Sequence, residues 1–211
     1  VIPGRTGTMM HPQGLAILFA EHPNVCAVKE ATGDYENMAL TRAVCGDTYT
    51  ILSGDDDRTV EMMRRDDIRA AGVISVMSNI LPGPIQRLAV AMATGDTAAA
   101  DKLADDMKPL FGIVGVTTTE TSPHGTVQCK ARNPVPVKTL MNILGMPSGP
   151  CRRPLGRLTR QGLDVALGAV KQVFANDPDL LTPIGDFFEV DIEARLNDAS
   201  LADDLIYASG Y

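Results

Sequence analysis

Three short runs rich in β-branched and small apolar residues, Val25–Lys29, Thr48–Leu52 and Val73–Met77, alternate with stretches of helical periodicity. Strands joined through an intervening helix run parallel, and a parallel sheet must be covered by helices. This alternation restricts the chain to α/β folds and puts the ends of the three strands on one edge of a sheet, where parallel α/β proteins build their sites.

The intervening segments read as helices with definable ends. Leu15, Leu18 and Phe19 recur at helical spacing after Pro12, and His22-Pro23-Asn24 stops that helix near Glu21. Asp34 is placed to cap a helix through Met38, Leu40 and Val44 that ends at Gly46. A short charged helix is expected around Val60–Arg65. After Met77 the pattern turns helical, over 84–94, 97–114, 135–145 and 160–175, with Pro- and Gly-rich turns between. The acidic stretch from Asn176 onward allows one more helix near 189–206; its composition fits either a tail packed on a neighbour or partial disorder.

Composition excludes several functions. With 211 residues, 45% of them hydrophobic, the chain can bury one good core or a core plus an appendage. A formal charge of −7 argues against a broad nucleic-acid-binding surface. No apolar run reaches the ~18 residues of a membrane span, and no signal-peptide pattern opens the sequence. Cys26, Cys45, Cys129 and Cys151 form no CxxC pair, which predicts reduced thiols in a cytoplasmic protein, with Cys26 a small buried residue of its strand.

The run Val25-Cys26-Ala27-Val28 reads as a strand buried on both faces, yet it ends in Lys29. Lysine is rarely buried without a partner. An ordinary lysine has a pKa near ~10.4, and bringing it near neutrality by desolvation corresponds to about 4 kcal/mol. A neutral amine there attacks a ketone to form a Schiff base. The plainer reading is a lysine that reaches solvent or pairs with Glu30.

The other strand ends carry small or polar residues: Ser53-Gly54-Asp55-Asp56 and Ile74-Ser75-Val76. Gly54 would leave room for a ligand, and the Ile74 carbonyl could face it. Arg5, in a glycine-flanked turn, is a fork suited to a carboxylate, or else a surface ion pair. Asp55-Asp56-Asp57 reads better as a solvated turn with a capping aspartate than as a metal site, since adjacent residues point in different directions. His11, His22 and His124 suit surface or capping roles. Gly4 and Gly7 do not make a phosphate loop, Ser53 has no histidine at triad spacing, and Met62, Met63 and Met77 read as core filler.

VIPGRTG, VCAVKEATGD, ILSGDDD, AGVISV and NPVPVK, in this order and at these separations, resemble the dihydrodipicolinate synthase family, from Val1 to about Val173. The resemblance implies the C-terminal portion of a (β/α)8 TIM barrel, about three strands, followed by a helical region. It implies a homotetramer and a class I aldolase-type condensation of pyruvate with aspartate semialdehyde on the diaminopimelate route to lysine. No cofactor is implied beyond the covalent Schiff base. Carried over by position, Lys29 matches the Schiff-base lysine and Arg5 the arginine receiving the aldehyde's carboxylate. Gly54 and Ile74 match pyruvate-pocket residues, and Thr32 and Gly33 shape the pocket.

The corresponding division of the chain is 1–80 as partial barrel, 81–175 as last barrel helix and helical region, and 176–211 as acidic tail. Val1-Ile2 reads as the end of a strand that begins upstream. A full barrel takes ~250 residues, so roughly 130 are expected before Val1, including the family's proton-relaying tyrosine and threonines. Two other readings stay open: an inactive partial barrel, and a sugar-acid aldolase using the same lysine. The stretch Thr117–Arg132 exceeds the usual link before NPVPVK and is unexplained by the resemblance.

Overall fold

The computed structural model describes residues 1–208, so the last three residues of the acidic tail lie outside the described residues. The chain forms two units, Val1–Ser78 with Pro82–Asp105, and Asn79–Leu81 with the residues from Asp106 onward.

In the first unit a single helical turn, α1 (Pro3–Thr6), precedes α2 (Pro12–Glu21), β1 (Ala27–Glu30), α3 (Tyr35–Cys45) and β2 (Thr50–Ser53). A 3-10 turn at Asp56–Arg58 leads into α4 (Thr59–Arg64), β3 (Gly72–Val73) and α5 (Pro82–Thr94), and α6 (Thr97–Phe111) follows. The sheet is parallel in the order β1-β2-β3, with Lys29 beside Leu52, Glu30 beside Ser53 and Ser53 beside Val73. Val1 extends the same pattern on the free side of β1: its amino group donates to the Lys29 carbonyl, and Ala31 N donates to the Val1 carbonyl at 3.0 Å. This is the parallel-strand connection of alternate donors and acceptors.

Helix α3 starts as its sequence dictates. The Asp34 carboxylate accepts from Glu36 N and Asn37 N, and Gly46 closes the helix with φ +79°. Its inward face, however, is Met38, Thr41, Arg42 and Cys45, while Leu40 and Val44 are exposed. One face of the sheet packs Val28 and Ile51 against Met38, Met62, Tyr49 and Leu15. The other face carries Ala27 and Lys29, both exposed. The expected two-sided burial of the first strand therefore does not occur, and Cys26 is exposed rather than buried. The reason is geometric: three strands twist but cannot close on themselves, so the face that would line a barrel stays open.

The third strand is also shorter than its Val73–Met77 pattern suggested. Ile74 N still donates to Ser53 O at 2.8 Å, but Val76 N and Met77 N turn to the Asp56 carboxylate, at 3.1 and 3.2 Å. A side-chain acceptor has replaced the ladder.

The second unit contains a feature the sequence reading left unexplained. Strands β4 (Gly115–Ser122) and β5 (Gly125–Arg132) form an antiparallel hairpin in full register from Gly115–Arg132 to Ser122–Gly125. Helices α7 (Val135–Ile143) and α8 (Arg160–Asn176) follow, burying Leu140 and Ile143 on one and Leu163, Ala166, Val170 and Val173 on the other. The acidic tail makes two short helices rather than one, α9 (Thr182–Phe188) and α10 (Ile192–Asn197). It is tied to the rest of its unit: Leu158 bridges Ile206, Tyr207 N donates to Leu158 O, and Arg195 donates to Ile143 O and Asn142 O.

One buried cation organises the first unit. Arg42 donates to Gly46 O and Tyr49 O, both at 2.7 Å, to Ile68 O at 3.0 Å and to Arg69 O at 3.2 Å. Burial lowers its pKa, with Arg69 adding to the effect, but a guanidinium starts high enough to stay charged. Replacing Arg42 by Met is expected to cost about 2–5 kcal/mol, because the carbonyls buried deepest lose their donor. Arg42→Lys should recover only part, since one ammonium cannot span four acceptors. Urea unfolding of the three proteins checks the order.

Candidate functional site

The C-terminal ends of β1, β2 and β3 gather Lys29, Gly54 and Ile74, three of the residues singled out in the sequence. Lys29 and Gly54 share the open face, and the Lys29 side chain lies across Gly54. A methyl group placed on Gly54 would stand 2.9 Å from Lys29 Cε, 2.7 Å from Ala31 Cβ and 3.0 Å from Glu30 O. Glycine is thus required by close approach, not by backbone conformation. Gly54 N donates to Glu30 O at 2.7 Å, which continues the ladder past Ser53. Ile74 is anchored beside this end through its bond to Ser53 O, and its side chain is exposed.

Thr32 and Gly33 form the turn after β1. Thr32 N donates to Glu30 Oε1 at 3.0 Å, and Thr32 Oγ1 accepts from Asp34 N at 3.2 Å. Gly33 adopts φ +72° and faces the Arg58 guanidinium, which lies over the Tyr35 ring. Arg5 is exposed on α1, four residues beyond the pairing of Val1 with β1, which brings its turn to the same end of the strand. Lys29 itself is exposed. Three strands leave this face open, so the lysine is not enclosed as a strand end inside an apolar pocket would be.

Beneath the open face lies a layer of buried polar groups. Glu30 and Ser53 are fully buried and Asp56 nearly so. Burial raises the Glu30 pKa most strongly, opposed by its bonds from Thr32, and its Oε2 has no hydrogen-bond partner. Burial likewise raises Asp56, whose Oδ2 holds Val76 N and Met77 N while Oδ1 is unpartnered. Asp55 is raised first by burial and then by Asp57, with Lys29 pulling the other way. The three aspartates are therefore not one solvated turn: Asp57 is exposed, while Asp56 faces inward and fixes the loop after β3. Asp55, at the N-cap of the 3-10 turn, makes no side-chain capping bond. No metal-binding cluster of acidic, histidine or cysteine residues occurs among the described residues.

Two of these groups escaped the sequence reading. Glu30 follows Lys29 directly, and the period of two along a strand sends them to opposite faces. Asp56 gave no signal beyond its place in a run of three. His11, His22 and His124 are all exposed, as expected.

Residues 1–173 match the model of the dihydrodipicolinate synthetase family. The chain belongs to this family. It is 39% identical over 157 residues to the 4-hydroxy-tetrahydrodipicolinate synthase of Pelobacter propionicus, covering 74% of this chain and 48% of that protein. It is 36% identical over 154 residues to the synthase of Synechococcus elongatus, covering 73% and 46%. Its fold is similar to the solved 4-hydroxy-tetrahydrodipicolinate synthase of Methylacidiphilum fumariolicum, with a TM-score of 0.71 at 26% identity, covering 85% of this chain and 54% of that one. The chain thus spans about half the length of the relatives it matches. As a member of the dihydrodipicolinate synthetase family it contains a segment of the (β/α)8 barrel, three strands with their helices, and a helical region. The hairpin β4–β5 and most of α8 fall within the family-matched stretch, whereas α9 and α10 lie beyond it.

Two outcomes are expected here. Gly54→Ala should displace the Lys29 side chain or the β1 end, costing about 1–3 kcal/mol by overpacking, readable as a lowered unfolding midpoint. For Glu30 the folded-state pKa is raised, so its contribution to stability is present below the unfolded value and is lost as pH rises through the folded one. Glu30→Gln should therefore flatten the decline of stability with pH above about 4.3, where an unfolded glutamate ionises. The stability difference between variant and parent, followed by urea unfolding at several pH values, should grow in the variant's favour with pH.

Proposed function

We propose that the chain carries the Schiff-base half of a 4-hydroxy-tetrahydrodipicolinate synthase. The observation that supports this most directly is the Lys29 side chain laid across Gly54 at the C-terminal end of a parallel strand, in a chain of this family. In this reading the Lys29 amine adds to the keto carbon of pyruvate and water leaves. Loss of a proton from the methyl carbon gives an enamine, which attacks the aldehyde carbon of aspartate semialdehyde. Ring closure by the semialdehyde's own amine on the imine carbon then frees Lys29. No other cofactor enters.

Each residue follows from its chemistry. Gly54 leaves the space over Lys29, and Ile74 offers main chain to the bound pyruvate. Arg5 receives the carboxylate of the semialdehyde as a bidentate fork. Thr32 and Gly33 shape the turn beside the lysine, and the buried Glu30 carboxylate holds that turn through Thr32 N. The relatives' shared name favours the synthase over a sugar-acid aldolase. We further place the whole protein in the cytoplasm as a homotetramer acting in diaminopimelate and lysine synthesis. No helix among the described residues is long and apolar enough to cross a membrane.

A second reading, a partial barrel without catalysis, is favoured by the exposure of Lys29, which the three strands leave on an open face instead of enclosing in a pocket. Incubation with pyruvate and borohydride, followed by peptide mass spectrometry, separates the two. The first reading expects one reduced pyruvate adduct on Lys29, absent from Lys29→Ala. A folded, monodisperse sample that takes up no pyruvate would favour the second.

A further inference from the structure

The second unit contains an open cleft of about 1030 Å³ between α7, the loop that follows it and the segment around Leu205. Three cations line it, Lys138 from α7 and Arg153 and Arg157 from the loop, against a single carboxylate, Asp204. Among the described residues none of the three forms an ion pair. Two are held by main chain: Lys138 Nζ donates to Pro150 O at 3.0 Å, and Arg157 Nη1 to Ile206 O at 3.2 Å. These bonds orient the cations and leave them most of their donors, since an ammonium has three and a guanidinium five. Arg153 makes no such bond.

A local excess of two positive charges is unusual in a chain whose formal charge is −7. Like charges lining one cleft repel, and an anion placed among them offsets that repulsion. The cleft is of ligand-binding size, and Val135 and Leu155 give it apolar wall beside the cations. Its far side is built by Asp204, Leu205 and Tyr207, which lie beyond the family-matched residues. The site thus depends on a segment that the family's shared pattern does not include.

We propose that this cleft binds a small organic anion carrying two or more carboxylate or phosphate groups, with Arg153 and Arg157 as its forks and Lys138 as a third contact. Calorimetric titration of the whole chain at fixed ionic strength, with succinate in one arm and pyrophosphate in the other, tests this. Saturable binding of succinate alone assigns carboxylates, binding of pyrophosphate alone assigns phosphate groups, and binding of both assigns recognition by charge. In each case Arg153→Gln should weaken binding by about tenfold or more, the loss of one charge-assisted contact. The melting temperature of the unliganded Arg153→Gln protein should match the parent, because among the described residues that side chain is exposed and makes no hydrogen bond or ion pair. Two results overturn the proposal: neither probe binds saturably, or Arg153→Gln leaves binding unchanged. A loss of binding in Arg5→Gln with Arg153→Gln silent would place the anion in the first unit and overturn it as well.

Discussion

The first unit depends on a guanidinium held by main-chain carbonyls. Arg42 occupies a position on α3 where an apolar residue would otherwise complete the buried face with Met38 and Cys45. Its four acceptors are carbonyls of the two connections that feed β2 and β3: Gly46 and Tyr49 before the one, Ile68 and Arg69 before the other. Parallel strands have no hairpin turn to set their register, so it must come from the hydrophobic pattern and from contacts at the strand starts. A rigid planar donor set fixes two connections against one helix, and hence Leu52 beside both Lys29 and Gly72. A carboxylate partner would satisfy the charge and free the carbonyls, loosening what the arginine holds.

Register decides the site because faces alternate. With Lys29 on the open face, Glu30 is necessarily on the buried one, and the same parity pairs Gly54 with Lys29 and Ser53 with Glu30. The open face holds Lys29 and Gly54, and the closed face holds the polar groups that fix the loops around them. Thr32 hangs from Glu30, and the backbone at Val76 and Met77 hangs from Asp56. Each carboxylate keeps one oxygen without a partner. Such groups are costly, and they cluster where the position of a loop matters more than local stability. Lys29, by contrast, stands exposed on the face that three strands leave open.

Much of this was legible in the chain. The Pro12–Glu21 helix, the Asp34 cap and the Gly46 stop follow from local chemistry that acts within a few residues, and they fold as read. The side of α3 that packs inward was misread because Leu40 and Val44 outweigh Arg42 in any apolar pattern. Only tertiary carbonyls make the arginine an inside residue. Strand β3 was overestimated for a related reason. Val73–Met77 has strand composition, but Asp56, about twenty residues earlier, takes its last amides. The hairpin was missed because β4 carries no apolar side chain after Val116, so the alternation of Val127, Cys129 and Ala131 with polar residues along β5 stands without a matching partner strand in the pattern. Lys29 and Gly54 were found through motifs, and their contact is a close approach that spacing alone does not reveal.

The acidic tail shows how a segment outside a shared family pattern can still belong to the fold. Arg195 of α10 donates to the carbonyls of Asn142 and Ile143 at the C-terminal end of α7, where a cation also meets the negative pole of the helix. Val190 packs against Gly145, which takes φ +89° as the chain leaves that helix. Ile206 and Tyr207 pair with the backbone at Leu158, and Ile206 accepts from Arg157. On the receiving side nearly all of these contacts are main chain, present whatever side chains stand there. A tail of its own sequence therefore docks on the family's helices without asking them to change, and it brings to Lys138, Arg153 and Arg157 the wall that turns an exposed basic loop into a cleft.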